Sequence, residues 1–401
     1  SMASFGQRDS ASSSGHSQSS GLGGNTCPGN CWATTLADLD FTFDANGRLI
    51  DNKTGQVFEF NYIRDPSKAD SMRRYERLGE VITSYIYQLM RDDHGMQELP
   101  VSALGDPQTF PFAPSPAAAA SAAQRPGTGC CLYLSPPCQD DADYLLVIIQ
   151  GGGVIRAGQW SRRLIINDSL SSGSMLPYIS LGHRLNMRLL ILNPNANRYR
   201  GQPIEGHETA ERHVETVWRT VVRRAPQRHV FVICHGHGGV AFTHQLQPWE
   251  PGDPSQGDDR QLWETRRREF IADLRDRVPG VAFCDSYFCL PMQGIDDPEV
   301  IDYFQKRSRN WVSSDQPLDQ PIDTGSLTNW GQAVQDTPKV SAGTPAHERI
   351  PANAMVSVFR WLFSMCDRKQ RLRPETMSSM EQALLAAEKQ MQSAASADSD
   401  T

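Results

Sequence analysis

No run of about 18 or more apolar residues occurs in this 401-residue chain, which excludes a membrane-spanning helix. Positive charge is not in surplus either, with Lys+Arg 39 against Asp+Glu 46 and a formal charge of −7. A general nucleic-acid binder needs clustered cations for phosphate contacts, so direct recognition of nucleic acid is not expected. Cysteines number nine, an odd count at irregular spacings, which does not suit the disulfide framework of a small secreted protein. Cys27-x3-Cys31 has no second Cys/His pair downstream at zinc-site spacing. Gly151–Gly153 lacks the Gly-Lys-Ser/Thr ending of a nucleotide P-loop, and no internal repeat is present. Ser1 before Met2 reads as a remnant ahead of a native start, with no apolar signal-peptide core after it. The irregular cysteines point to reduced, intracellular thiols, and the protein is expected in nucleus or cytoplasm, with no cofactor and no bound metal.

What remains is a hydrophobic content of 39%, enough for a sizeable core. At roughly 150 residues per domain the length allows two or three domains, or one large domain with tails. Residues 1–30 are Ser/Gly/Gln-rich and cannot offset ordering entropy, so they are expected to be a disordered tail. Residues 31–366 form the expected domain, interrupted at 105–129 by a Pro/Ala-rich loop. Residues 367–401 read as a C-terminal tail with a short helical pattern at Met380, Leu384, Leu385 and Met391.

Within the domain, residues 72–92 place Leu78, Val81, Ile82, Tyr85, Ile86, Leu89 and Met90 on one helical face. Tyr144–Gln150, Met187–Asn193, His229–Cys234 and Val281–Asp285 are short apolar runs bounded by turn residues, as in buried parallel strands. Helices are expected over 208–224, 262–278 and 353–365. Strands alternating with helices imply an α/β fold with a mostly parallel sheet between helical layers.

In such sheets function collects at the carboxyl ends of the strands. The run Cys234–His235–Gly236–His237–Gly238–Gly239 ends one strand and enters an apolar helix, the layout of a nucleophile elbow. An elbow needs small residues two before and two after its nucleophile. Cys234 and Gly238 meet that requirement only if Gly236 holds the nucleophile position, which is therefore vacant. Gln150–Gly151–Gly152–Gly153 resembles the glycine turn that supplies one oxyanion-hole N–H, with His237 as the other donor. Asp285 and His347 follow in the acid-then-histidine order of a triad, and Gln150, His235 and Ser286 are the neighbouring pocket candidates. The plainer readings are a turn or helix cap for Asp285 and a solvated loop residue for His347. His235, His237 and His244 also suggest a metal centre, but no carboxylate follows at a fixed short spacing.

The sequence resembles the Argonaute-binding protein 2 domain family over roughly residues 33–365. The resemblance is carried by Arg74–Tyr75–Glu76–Arg77–Leu78–Gly79–Glu80, by Val154–Ile155–Arg156–Ala157–Gly158–Gln159–Trp160–Ser161–Arg162–Arg163–Leu164–Ile165–Ile166–Asn167, and by Leu192–Asn193–Pro194–Asn195. Asn310–Trp311–Val312–Ser313–Ser314 and Val340–Ser341–Ala342–Gly343–Thr344 continue it. The resemblance implies an α/β-hydrolase-like fold. Many members carry serine where this chain has Gly236, so it also implies a departure from the family's elbow. Its biological implication is a scaffold in RNA-silencing, chromatin or splicing assemblies, with protein partners associated with Argonaute or chromatin. The competing reading is an esterase-like hydrolase that uses Asp285 and His347 with a water or a replacement nucleophile, for which Cys234 and Ser286 are the nearby candidates. Arg156, Trp160, Arg162 and Arg163 are expected to be structural or interfacial, with charged heads solvated or paired. The alternative is that one of them lines the pocket mouth and selects an anion.

Overall fold

The apolar runs read as strands are central in the computed structural model of the protein, which describes residues 35–60, 68–104, 130–137, 143–287, 290–322, 337–370 and 378–389. The expected tail 1–30 and loop 105–129 lie outside these residues. A small antiparallel meander, β1 (Phe41–Phe43), β2 (Leu49–Asp51) and β3 (Gln56–Val57), precedes helix α1 (Lys68–Asp92). Then come β4 (Gln97–Pro100), β5 (Cys131–Leu134), β6 (Tyr144–Ile149), α2 (Arg162–Asn167), α3 (Leu170–Gly173), α4 (Leu176–Arg184) and β7 (Arg188–Ile191). After the β8–β9 hairpin (Arg198–Tyr199 and Gln202–Pro203) follow α5 (Ala210–Val217), β10 (His229–His235), α6 (His237–Thr243), α7 (Arg260–Arg277) and β11 (Gly280–Cys284). The last elements are α8 (Pro298–Arg307), β12 (Ser308–Val312), β13 (Lys339–Ser341), α9 (Ile350–Gln370) and α10 (378–389).

Eight strands form one sheet in the order β13-β12-β11-β10-β6-β7-β5-β4. β5 is antiparallel to both its neighbours, and the other pairs are parallel. Strand order reverses between β6 and β10, so the loops leaving their carboxyl ends open a crevice there. The protein is therefore α/β, with the α/β-hydrolase-like three-layer arrangement that the sequence implied.

β6 and β10 are buried along their whole lengths because both sheet faces are covered. Side chains alternate between faces. Leu146, Ile148, Phe231 and Ile233 pack with α1 and α9 on one side. Leu145, Val147, Val230 and Val232 pack with α5, α7 and α8 on the other. Each fully buried side chain of this size contributes about 1.5–3 kcal/mol.

Helix boundaries differ from expectation in two places. The helix expected over 208–224 is α-helical only to Val217 and continues as a π-helical turn, Trp218–Val222. Thr209 caps its start by accepting from the Arg212 N–H. α9 extends to Gln370, past the expected tail boundary. Inside the expected tail, α10 buries Met380, Leu384 and Ala387 in the core, while Arg360 of α9 pairs with Glu381 and Glu388.

Candidate functional site

β10 delivers the chain to Gly236, whose φ of +50° and ψ of −121° suit glycine better than any residue with a Cβ. The close approach behind this turn is set two residues later. A Cβ on Gly238 would stand 2.6 Å from the Ile149 carbonyl oxygen, so α6 reaches the sheet only with glycine there. The elbow read from the sequence is present in backbone form.

The Asp285 and His347 side chains meet beside it. His347 Nδ1 lies 2.8 Å from Asp285 Oδ2. Asp285 is further held by Ser313, which donates from its backbone N–H at 3.1 Å and from its hydroxyl at 2.6 Å. Burial works against ionisation of Asp285, but the hydrogen bonds from His347 and Ser313 outweigh it and hold the carboxyl below its ordinary range. With Nδ1 against the carboxylate, Nε2 is the ring nitrogen turned toward Gly236. That atom lies 3.3 Å from where a Gly236 Cβ would be. The Asp285 carboxylate, the His347 ring and the tip of the Gly236 turn thus stand side by side, with no side chain at the third.

The flanking residues are also fixed. His235 is buried, stacks on His347 at 4.6 Å between ring centroids, and is pushed down to about 3 by burial and by the His347 ring beside it, so it is neutral at ordinary pH. His237 Nε2 contacts Glu211 Oε1 at 2.9 Å. Burial would raise the Glu211 carboxyl, yet hydrogen bonds from His237, the backbone and Thr209 bring it to about 2. The Gly151 turn is clamped by Asn195, whose amide donates to the Gly151 and Ile155 carbonyls at 2.8 and 3.1 Å. Asn193 accepts from the Ala157 N–H at 3.1 Å. The Asn193–Pro194–Asn195 motif therefore shapes the glycine loop.

A cleft of about 570 Å³ opens over these groups, lined by Tyr75, Gly152, Arg162, His235, Gly236 and His347 among others. Gly151 and His237 also line it, but Gln150 and Ser286 do not. Gln150 is 1% exposed, and Ser286 is tied to Asn310 and the Cys234 carbonyl, so neither is a pocket residue. Cys234 is fully buried, and burial pushes its thiol far up. Neither Cys234 nor Ser286 lines the cleft. The metal reading also finds no support: among the described residues no group of three or more His, Cys, Asp or Glu could hold an ion.

Sequence reasoning missed two neighbours of the site and misplaced the surroundings of a third. Ser313 was visible only as part of a family block. Glu211 sits a helix away from its partner, and nothing in its spacing marks it. Arg162 was expected to keep its head solvated or paired, but it is 8% exposed and makes no ion pair among the described residues.

Fold and site together define an α/β-hydrolase-like protein with Gly236, His347 and Asp285 gathered at one cleft. The resemblance to the Argonaute-binding protein 2 domain family stands as well, since residues 32–203 match the family model described as the Arb2 domain. Human cotranscriptional regulator ARB2A is 26% identical over 84% of this chain and 81% of its own length. The Dictyostelium discoideum homologue of that regulator is 22% identical over 82% and 80%. A Caenorhabditis elegans FAM172 family protein homologue is 29% identical over 57% and 62%. Among solved structures, the histone deacetylase Clr3 aligns with a TM-score of 0.40 at 13% identity, over 77% of this chain and 41% of that one.

Proposed function

We propose that this chain is a catalytically degenerate α/β-hydrolase-like protein whose domain, residues 31–366, serves as an interaction scaffold in cotranscriptional, chromatin, splicing or RNA-silencing assemblies of nucleus or cytoplasm. The observation that carries the degeneracy is Gly236, in elbow conformation beside His347 Nε2 without a side-chain oxygen. No acyl-enzyme can form without that oxygen. The regulatory setting is supported by the relatives, which are named as cotranscriptional regulators. Asp285, His347, the Gly151–Gly152 turn and the His237 N–H are then a remnant acid–histidine pair and oxyanion-like turn.

A second reading is favoured by one specific observation, the intact Asp285–His347 pair. Such a pair can activate a water in the open cleft, giving slow hydrolysis without an acyl intermediate.

Two measurements test the first reading. Wild type and His347→Ala should hydrolyse nitrophenyl acetate at equal background rates, and wild type should resist fluorophosphonate labelling. Turnover that disappears in His347→Ala selects the hydrolase instead. Proximity labelling of the full chain in its native cells should enrich proteins of transcription or RNA processing. Enrichment confined to metabolic enzymes contradicts the scaffold role.

A further inference from the structure

Arg162 is only 8% exposed, although it carries a charge that is costly to bury unpaired. Its Nη2 donates to the Val154 carbonyl at 3.1 Å, its one hydrogen bond among the described residues. Nε has no partner. The guanidinium stands 5.9 Å over the Tyr75 ring, and Glu76 and Glu80 act on it only through space.

The seat for this cation is built. A Cβ on Gly79 of α1 would lie 2.4 Å from Arg162 Cζ, so an alanine there would push the guanidinium, the movable end of its side chain, out of this position. Glycine inside a helix is less favourable than alanine, and α1 gives up that stability where it passes a cation with no direct carboxylate contact among the described residues.

Arg162 faces the same 570 Å³ cleft as Gly236 and His347, a volume in the range of small-molecule sites. The neighbouring cation Arg163 is paired with Glu348, so that pair adds no net charge. Arg162 is left as the uncompensated charge of the lining.

We propose that the cleft binds a small organic anion, with a carboxylate or phosphate held by Arg162 and the rest of the molecule directed to the unfilled space at Gly236. This deepens the reading of the cleft as a binding site and rests on it. It does not depend on whether hydrolysis survives. An arginine fork suits planar oxyanions, and the remaining space beside His347 accepts an uncharged moiety.

The test is titration of the full chain at low ionic strength with phenylacetate, phenyl phosphate and the neutral phenylacetamide, followed by calorimetry and protein NMR. At least one anion should bind saturably and at least tenfold more tightly than the amide, and comparing the two anions identifies the preferred head group. Arg162→Met should remove that preference. Gly79→Ala keeps every charge and a strong helix former while displacing the guanidinium, so it should weaken anion binding at least threefold. It decides the matter if Arg162→Met does not fold. Arg275→Met, on an exposed face of α7 outside this cleft, should bind as wild type. Equal affinity for anions and amide, or unchanged anion binding in both Arg162→Met and Gly79→Ala, overturns the proposal. Esterase turnover in wild type would instead overturn the degenerate-enzyme reading and leave this one intact.

Discussion

On one side of the cleft His347 and Asp285 hold each other at 2.8 Å with Ser313 behind them, and on the other Gly236 completes an elbow that carries no reactive atom. The two sides persist for different reasons. The elbow is a packing requirement: Gly238 must let α6 approach the Ile149 carbonyl, so the backbone turn survives whatever residue sits at its tip. The acid–histidine pair has no such packing role. The His347 side chain is 47% exposed, and Asp285 sits at a positive φ of +50°, which costs a non-glycine residue energy. An elbow alone is thus weak support for catalysis, while an oriented histidine kept at some strain says more about use of the cleft.

The largest effect should come from refilling the vacant position. Gly236→Ser is expected to gain turnover of nitrophenyl acetate, and adding His347→Ala should lower that turnover about 100-fold or more, the usual worth of a general base. Steady-state kinetics on protein checked by circular dichroism decides it. The serine must adopt a backbone that glycine tolerates freely, so a stability loss of about 1–3 kcal/mol accompanies the gain. Equal rates in the single and double variants would mean that the two sides no longer cooperate.

Next in size is Trp160→Ala. Trp160 is 2% exposed and meets Tyr178 edge-on at 5.1 Å and His235 at 5.9 Å, so it supports the floor of both sides. Truncation should cost about 3–5 kcal/mol in denaturant unfolding. An unchanged midpoint would contradict its core role.

The central parallel strands were legible because they are buried on both faces and read as continuous apolar runs, as Tyr144–Ile149 does. Edge strands such as Lys339–Ser341 are three residues long and share their pattern with loops. The elbow, Asp285 and His347 were legible because chain order and small-residue spacing are sequence properties. Arg162 was not, because its burial is set by Gly79, some eighty positions earlier, and no local pattern encodes that contact. Gln150 and Ser286 looked like pocket residues by proximity in sequence, yet both are buried outside the cleft lining, Ser286 held by hydrogen bonds with Asn310.

The stacked histidines give a smaller, pH-dependent effect that separates the two sides electrostatically. His235 is held neutral down to about 3 by burial, against about 6.5 in the unfolded chain. Between those values the unfolded state binds the extra proton, so the stability His235 permits is full above about pH 6.5 and falls as pH is lowered. His235→Phe removes that titration and should flatten the acid-side decline by up to about 1.4 kcal/mol per pH unit. Parallel slopes for wild type and variant in urea titrations would show that the ring is not desolvated.

Ser313→Ala should produce the smallest change, and it reads the acid side alone. The Ser313 hydroxyl donates to Asp285 Oδ2 at 2.6 Å, while His347 and the Ser313 N–H remain as donors after the substitution. A hydrogen bond to a partly exposed carboxylate is worth about 0.5–1.5 kcal/mol, so a loss of that order is expected at neutral pH. Asp285 titrates below its unfolded value, so its stabilisation is present above about pH 4 and is lost as pH falls through the folded value. Removing one donor raises the folded value toward the unfolded one, so the loss should begin at higher pH and have smaller amplitude. Carboxyl NMR shifts of Asp285 across the acid range measure this directly. An unmoved titration would mean that His347, and not Ser313, holds the carboxylate in its charged form.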